Sequence, residues 1–438
     1  MVKKLSVYFL FPVLISLMAC RASQPLTSGS ELSLKREWLK QGIGAGNHVG
    51  ISIYDPEEGE ILFAYRDTLY FTPASNIKIL TLYAALQTLD DSLITARYID
   101  TKDTLYVWGG GDPGSYYPKN EPNRFIDFLS GLEKPIVFSQ SHFKAGRYGS
   151  GWAWDDYPYA FQCERTAFPI YGNRIRIRRD QDSVFVTPDF FKEAITISRD
   201  TVTHTGKTEW GDQYVYTYNP KVMTEERSIP ITFFENDTRY IWREATGNDI
   251  ILASLPMPSR TQTLHGSVTD TLLKIMMQES DNFIAEQLLL NCSFSKLGYL
   301  SDIDFIQACE SSIFFNCAHE PKWFDGSGLS RYNALTPATL IDVLNRIYQL
   351  KGMDYIKAIF AAGGESGTLK QNFFSPEEKP YVYAKSGSLR DVYCLSGYLI
   401  TKSGRVLLFS WMNNHISQSK AALQTDMENY LLFVYHHY

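Results

Sequence analysis

The chain has 438 residues, of which 44% are hydrophobic and 21% charged, a composition that is ordinary for a globular protein and sufficient for two or three domains. Its formal net charge of −6 gives no electrostatic reason to bind nucleic acid, so we predict no nucleic-acid partner. The six cysteines and eight histidines show no zinc-site spacing, and we therefore expect no metal site.

The first segment has the layout of an export signal. Two lysines precede an apolar run from Leu5 to Ala19, which is too short to span a bilayer comfortably. The run ends in a small residue followed by Cys20, which resembles the lipoprotein box of bacterial lipoproteins. We expect residues 1–19 to be removed and Cys20 to carry lipid, which would anchor the chain to a bacterial membrane in the periplasm. The alternative is an ordinary secretory signal in which Cys20 is incidental.

The periodicity of the remaining chain predicts an α/β domain that is interrupted by a β-rich insertion. The runs HVGISIYD and ILFAYRD enclose the turn PEEGE and predict a hairpin, and an apolar helix follows from Ser75. Short alternating strands and Gly, Pro and Asp turns then dominate until helices return near residue 266. A strand pair around TKSG and a last helix close the chain. We expect one domain formed by residues 20–95 and 266–438, with an inserted β-rich region at 96–265.

The helix that follows the hairpin carries a lysine, Lys78, in an otherwise apolar run. Residues i and i+3 share a helix face, so the Ser75 hydroxyl and the Lys78 amine can approach hydrogen-bonding distance. A neutral amine there could accept the serine proton, which requires lowering a lysine pKa of about 10.4 by roughly three units. Partial burial and a second nearby cation both act in that direction. The other S-x-x-K occurrences, at Ser141, Ser293 and Ser417, do not open a long apolar helix after a hairpin.

A second motif, Ser280-Asp281-Asn282, lies where a helix begins or resumes. The hydroxyl of Ser280 could relay a proton to a leaving amine, and the amide of Asn282 could hold a substrate carbonyl. Taken alone, the motif is better explained as a helix cap in which Ser280 is the capping residue.

A third motif, Lys385-Ser386-Gly387, ends a predicted strand near the C-terminus. A cation, a hydroxyl and a glycine without a side chain could together cradle a substrate carboxylate, and Lys385 would also be the second cation that lowers the pKa of Lys78. The same pattern occurs at residues 204–206, inside the predicted insertion, and at 402–404, where a hairpin turn is the simplest interpretation.

The order of these motifs resembles that of the penicillin-recognising serine acyltransferases. From about residue 45 to 430 the chain further resembles the D-alanyl-D-alanine carboxypeptidases/endopeptidases of the low-molecular-mass class C penicillin-binding proteins. The stretches that carry this resemblance, besides the motifs, are LYVWGGGDP, GSGWAWDD, DGSGLSRYN, GTL and LSGYL. The resemblance implies a penicillin-binding, serine β-lactamase-like transpeptidase domain of α/β (α+β) class, with an antiparallel sheet, helices and a mainly β insertion. It implies no metal or organic cofactor.

The resemblance also implies how the groups would act. Ser75 would attack the carbonyl between the last two D-alanines of a peptidoglycan stem peptide while Lys78 takes its proton. Ser280 and Asn282 would return the proton and align the substrate, and water would hydrolyse the acyl-enzyme. The expected partners are therefore peptidoglycan peptides and β-lactam antibiotics, the latter bound covalently.

Substrate binding is implied for a second group of residues. Lys385 and Ser386 would bind the terminal carboxylate, and the amides of Ser75 and Ser388 would form the oxyanion hole. Asp156, in WAWDD, matches an acidic position that in the family can face the free amine of the stem peptide. A loop-capping role for Asp156 is an equally good interpretation.

Other interpretations of the chain concern the substrate and the supporting residues. The same site could serve a β-lactamase-like hydrolase or an esterase, which rapid penicillin turnover would indicate. A non-enzymatic wall-binding scaffold is disfavoured because all three motifs keep their reactive groups, and the absence of G-x-S-x-G and H-E-x-x-H argues against α/β-hydrolases and zinc peptidases. Gly326 and Gly328 predict a tight supporting turn over residues 325–331 close to the site. Cys394 is interpreted as a buried small residue.

Overall fold

The structure is a computed structural model that describes residues 29–43, 48–118, 120, 124–208, 213–234 and 236–438. The expected signal segment and Cys20 lie outside the described residues. The α-helices in the described ranges are α1 (Gly29–Lys40), α2 (Ile77–Thr88), α3 (Arg124–Ser130), α4 (Asp237–Thr246), α5 (Thr269–Gln278), α6 (Asn282–Leu297), α7 (Asp302–Glu310), α8 (Pro337–Ile359) and α9 (Lys420–His437). The strands in the same ranges are β1 (His48–Asp55), β2 (Glu60–Tyr65), β3 (Ser92–Asp100), β4 (Leu105–Gly109), β5 (Ile136–Ser139), β6 (Arg174–Asp180), β7 (Ser183–Thr187), β8 (Ile195–Arg199), β9 (His204–Lys207), β10 (Tyr214–Tyr218), β11 (Thr224–Pro230), β12 (Ile250–Ala253), β13 (Gln262–Val268), β14 (Ala361–Ala362), β15 (Val382–Leu389), β16 (Val392–Ile400) and β17 (Val406–Asn414).

A six-stranded antiparallel sheet joins the two ends of the described chain. Its strand order is β14-β15-β16-β17-β1-β2, so the N-terminal hairpin pairs with the C-terminal strands. The predicted turn at residues 402–404 connects β16 to β17, and Gly404 has a φ of 89°, which favours glycine. Every residue of β16 except the last is buried, because helices cover both faces of the sheet.

The two faces of this sheet have different helical layers. On one face α1 and α9 pack through aromatic side chains, with the Trp38 ring centroid 5.1 Å from that of Trp411 and 5.5 Å from that of Tyr430. On the other face α2, α5, α6 and α8 form the largest apolar core. Helix α2 is buried from Ile77 to Leu82, which explains why its sequence is apolar on all sides.

The region between residues 92 and 268 is mainly β, as the alternating strands predict. It contains a five-stranded sheet of order β12-β5-β4-β3-β13 and two three-stranded sheets, β11-β6-β7 and β8-β10-β9. Strands β3 and β13 are antiparallel neighbours, so the chain enters and leaves this region side by side. A separate apolar core, in which the Phe138 and Phe168 rings stack with centroids 4.0 Å apart, stabilises it. Helices α3 and α4 in this region were not predicted. Together the sheets and helices confirm the predicted fold class.

Two further features of the fold concern its cysteines and the length of its apolar helices. The five cysteines within the described ranges are free thiols, and Cys394 is fully buried, as interpreted from the sequence. No helix in the part of the chain that the structure describes combines the length and apolar character needed to cross a membrane.

Candidate active site

Ser75 lies in a single 3₁₀ turn, Ala74–Asn76, immediately before α2. The sequence predicted that the helix itself opens at Ser75; instead the α-helix begins at Ile77, after Ala74 adopts a left-handed φ of 48°. The turn is held in place because the backbone of Thr72 bonds to the side-chain amide of Asn414 in β17, with a Thr72 N to Asn414 Oδ1 distance of 2.7 Å. Ser75 remains partly exposed at this position.

Lys78 is fully buried in the first turn of α2 and donates three hydrogen bonds. Its Nζ lies 3.0 Å from Ser75 Oγ, 2.7 Å from Asn282 Oδ1 and 2.6 Å from the carbonyl oxygen of Ser327. Loss of water around the ammonium lowers the pKa of Lys78 to about 8, although nearby carboxylates act in the opposite direction. These carboxylates belong to Asp325, Asp281 and Glu286. About one Lys78 in ten is therefore neutral at pH 7 and able to accept the Ser75 proton.

Lys385 is also fully buried, and it interacts electrostatically with Lys78. Its Nζ donates to the carbonyl oxygen of Ser386 at 2.7 Å. Burial first, and then repulsion from Lys78, hold the pKa of Lys385 well below its usual range. Burial is the main cause of the lowered pKa of Lys78, and the mutual repulsion of the two ammonium groups disfavours the state in which both are charged. A substrate carboxylate next to Lys385 would stabilise its protonated form.

Gly387 in β15 is packed directly against the Ser75 turn. A Cβ atom at this position would lie 2.7 Å from the carbonyl oxygen of Pro73, 2.8 Å from Asn76 Nδ2 and 2.9 Å from the backbone nitrogen of Ser75. Real Cβ atoms do not approach other atoms so closely, so only glycine fits without separating the strand from the turn. Because Gly387 has no side chain, the strand of the third motif can lie directly beside Ser75.

The hydroxyls of Ser386 and Ser388 each have a partner that the sequence did not indicate. Ser386 is partly exposed and its Oγ donates to Thr368 Oγ1 at 2.8 Å. Ser388 is exposed and its Oγ accepts from Lys420 Nζ at 3.0 Å. Thr368 lies in the GTL stretch, and Lys420 belongs to the S-x-x-K that begins at Ser417. Both partners border the strand where a substrate carboxylate is expected.

The second motif lies at the junction between α5 and α6 and interrupts the helical conformation there. Ser280 has a left-handed φ of 59° and is partly exposed. Interpreting Ser280 as the helix cap was wrong, because the N-cap of α6 is Asp281, whose Oδ1 accepts from the Ile284 backbone nitrogen at 2.9 Å. The other carboxylate oxygen of Asp281 accepts from Tyr117 and Arg174 at 2.8 and 3.0 Å, and these contacts keep its pKa low despite burial.

Asn282, the first residue of α6, connects the motif to Lys78. Its Oδ1 accepts from Lys78 Nζ, and its Nδ2 donates to the carbonyl oxygen of Phe161 at 3.0 Å. Within the described residues no hydrogen bond joins the Ser280 hydroxyl to Ser75 or Lys78. The structure thus brings Asn282, but not Ser280, into direct contact with the lysine.

The turn at residues 325–331 packs against the 3₁₀ turn that carries Ser75, as its glycines predict. Asp325 is fully buried and its carboxylate accepts from the backbone nitrogens of Gly328 and Ser330 at 2.9 and 2.7 Å, and from Asn333 Nδ2 at 2.7 Å. Gly328 has a φ of 89°, and a Cβ there would overlap the carbonyl oxygen of Ala74. Sequence reasoning identified the turn but missed that the Ser327 carbonyl contacts Lys78.

Asp156 lies in a loop that borders this cluster. It ends the 3₁₀ turn Trp154–Asp156 and is partly exposed. Partial burial and the charge of Asp155 raise its pKa, while Arg331 acts against them. In the same loop, Trp152 Nε1 donates a hydrogen bond to Asp325 Oδ2 at 2.9 Å. This bond fixes the loop against the turn at residues 325–331. Among the described residues no group of three His, Cys, Asp or Glu side chains is arranged to hold a metal ion.

Known proteins match both this sequence and this fold. The sequence matches the "D-Ala-D-Ala carboxypeptidase 3 (S13) family" over residues 36–209 and 248–432. The D-alanyl-D-alanine carboxypeptidase DacB of Haemophilus influenzae is 24% identical over 432 residues, covering 85% of this chain and 86% of that protein.

Two crystal structures of penicillin binding protein 4 (dacB) from H. influenzae share the fold, with TM-scores of 0.74 and 0.68, 20% identity in each case, and coverage of 93% of this chain and 99% and 100% of those chains. The second of these is complexed with a β-lactam. The predicted penicillin-binding fold and the predicted class of enzyme, a D-Ala-D-Ala carboxypeptidase of the low-molecular-mass class C penicillin-binding proteins, are confirmed. The chain belongs to the D-Ala-D-Ala carboxypeptidase 3 (S13) family.

Proposed function

We propose that this chain cleaves the bond between the two terminal D-alanines of peptidoglycan stem peptides through an acyl-enzyme on Ser75. The observation that carries the proposal is the 3.0 Å contact between Ser75 Oγ and the Nζ of a buried lysine whose pKa is lowered to about 8. A buried amine that is partly neutral near physiological pH can act as a general base, whereas a solvated lysine cannot.

The proposed reaction begins when neutral Lys78 takes the proton of Ser75. The Ser75 oxygen attacks the penultimate D-alanine carbonyl, and the backbone amides of Ser75 and Ser388 stabilise the oxyanion. The C–N bond then breaks, and the proton that Lys78 took from Ser75 passes through the Ser280 hydroxyl to the departing D-alanine nitrogen, which leaves Lys78 neutral again. Water, deprotonated by the same lysine, hydrolyses the ester and regenerates the hydroxyl.

Binding of the terminal carboxylate is assigned to Lys385 and Ser386. The position of Gly387 against the Ser75 turn supports this assignment, because it holds the strand of the third motif beside the nucleophile. A β-lactam presents a carboxylate and a reactive carbonyl in a similar relation, so we propose that β-lactams acylate Ser75 as well. The β-lactam complex of the H. influenzae protein supports this extension.

Two finer parts of the function concern the rest of the substrate. We propose that Asp156, partly exposed in the bordering loop, faces the free amine of the stem peptide. We also propose that the site opens cross-links between stem peptides, because the acyl group that reaches Ser75 is the same in a cross-link and in a free terminus.

Release of D-alanine from a synthetic pentapeptide tests the proposed function. The wild type should release D-alanine, Ser75→Ala should release none, and Ser141→Ala should behave as the wild type because it alters another S-x-x-K serine. No release by the folded wild type would contradict the proposal. A penicillin adduct that hydrolyses within seconds would instead favour the β-lactamase-like alternative, and a cross-linked dimer as substrate measures the endopeptidase activity separately.

The location of the enzyme is a further proposal that rests on the first twenty residues. We propose that Cys20 carries lipid and holds the enzyme to a membrane in the periplasm, because the apolar run ends in a small residue directly before it. Metabolic labelling with an alkyne fatty acid should tag the wild type and not Cys20→Ala. Equal labelling of both would contradict the anchor.

A further inference from the structure

Of the three acceptors around the Lys78 ammonium, helix α6 carries one, Asn282, and holds the segment of a second, the Ser327 carbonyl, through Glu286. Asn282 and Glu286 are four residues apart and therefore share a helix face. Asn282 contacts Lys78 directly at 2.7 Å. Glu286 acts at one remove, since its Oε1 accepts from the Ser327 backbone nitrogen at 2.8 Å, and the Ser327 carbonyl oxygen lies 2.6 Å from Lys78 Nζ.

Glu286 is itself held rigidly in the core. Its side chain is 1% exposed, and its Oε2 lies 3.2 Å from Arg165 Nη1. The same guanidinium nitrogen lies 2.7 Å from Asp302 Oδ2, and Arg165 also donates to the carbonyl oxygens of Gly146 and Tyr148. The Glu286 carboxylate is bonded through one oxygen to Ser327 and through the other to Arg165, so it has little freedom to move. It therefore also fixes the turn at residues 325–331.

Several charged groups surround Lys78 and Glu286. The charged groups that act on Lys78 are the carboxylates of Asp325, Asp281 and Glu286 and the ammonium of Lys385. The charged groups that act on Glu286 are the ammonium of Lys78, the carboxylates of Asp325 and Asp302 and the guanidinium of Arg165. Burial and the neighbouring carboxylates raise the pKa of Glu286 to about 7, so its charge changes in the pH range where Lys78 also titrates.

We propose that Glu286 is a positioning residue for the reaction: it fixes the Ser327 carbonyl on Lys78 and supplies a negative charge that sets the pH at which Lys78 becomes a base. The inference rests on the proposed role of Lys78 and assigns a task to a buried group that the three motifs leave out. The Glu286 carboxylate both positions the Ser327 carbonyl and places a negative charge near Lys78. Different substitutions of Glu286 can separate these two effects.

The test is the pH dependence of the second-order rate constant for acylation of Ser75 by a fluorescent penicillin. Glu286→Gln keeps an acceptor for Ser327 but removes the charge, so the midpoint of the acid limb should move down by about one pH unit while the plateau stays within about threefold. Glu286→Asp keeps the charge but withdraws it from Ser327, so the midpoint should stay and the plateau should fall about 10- to 100-fold.

Asp302→Asn is the matched control, because it removes a carboxylate from the same Arg165 without touching the turn. It should not move the midpoint downward. An unshifted midpoint in Glu286→Gln, or an equal downward shift in Asp302→Asn, would overturn the inference. If Glu286→Gln does not fold, Glu286→Asp decides alone, and a wild-type plateau would overturn it. Failure of the wild type to be labelled at Ser75 would instead contradict the proposed function.

Discussion

Replacing Gly387 by alanine tests whether the strand of the third motif must pack directly against the Ser75 turn. The new Cβ would lie 2.7 to 2.9 Å from Pro73 O, Asn76 Nδ2 and Ser75 N, whereas ordinary contacts begin near 3.4 Å. Two of these three atoms belong to the backbone, so the strand and the turn must separate by about half an ångström. Oxyanion donors act only within about 2.7–3.1 Å of the developing charge, and loss of one donor costs about 100- to 1000-fold in rate, or roughly 3–4 kcal/mol.

We therefore expect Gly387→Ala to lower the acylation rate constant about 100-fold or more, measured by stopped-flow fluorescence with a labelled penicillin. Overpacking should also cost about 1–3 kcal/mol of stability, which thermal unfolding measures. Gly109→Ala is the control, because a Cβ on β4 would overlap the carbonyl oxygen of Ala167 in the β-rich region and would meet no atom of the three motifs. It should lose stability and keep its acylation rate. A folded Gly387→Ala protein with the wild-type rate would refute the reasoning, and an equal loss in Gly109→Ala would assign the effect to stability.

Two further predictions follow from the titratable groups. Because burial lowers the pKa of Lys78 to about 8 and the neutral amine is the base, the acylation rate should rise with pH up to about pH 8 and level off above it. Lys78→Met should lower the plateau by about 100- to 10,000-fold. A rate independent of pH between 6 and 8 would contradict this. Asp156→Asn should raise KM for a stem peptide with a free side-chain amine and leave KM for its N-acetylated counterpart unchanged, as steady-state kinetics on the two peptides would show; equal changes for both peptides would remove Asp156 from substrate recognition.

The elements that the sequence predicted well are those whose pattern is local. The run HVGISIYD coincides with β1, RIRIRRD with β6 and VYCLSGYLI with β16, because alternation or continuous burial marks each strand. The same holds for the Lys78 contact: although Ser75 lies in a 3₁₀ turn and not in α2, the turn continues directly into the helix, and a spacing of three residues still brings the two groups together.

What the sequence could not predict depends on contacts between distant segments. Tyr117 and Arg174 hold Asp281 from the inserted region, and no local pattern indicates that pairing. Glu286 was missed although a signal existed, because an acidic residue in the apolar run NFIAEQL is as unusual as the lysine in α2. The cap was assigned to Ser280 because serine and aspartate both cap helices well, and only the left-handed backbone at Ser280 decides between them.

The most direct test of the central claim is to locate the covalent adduct. After brief exposure to penicillin, peptide mapping by mass spectrometry should place a single penicilloyl group on Ser75, and the adduct should accumulate faster as the pH is raised from 6 to 8. An adduct on another residue, or none on a folded protein, would contradict the claim that buried Lys78 activates Ser75 as the nucleophile.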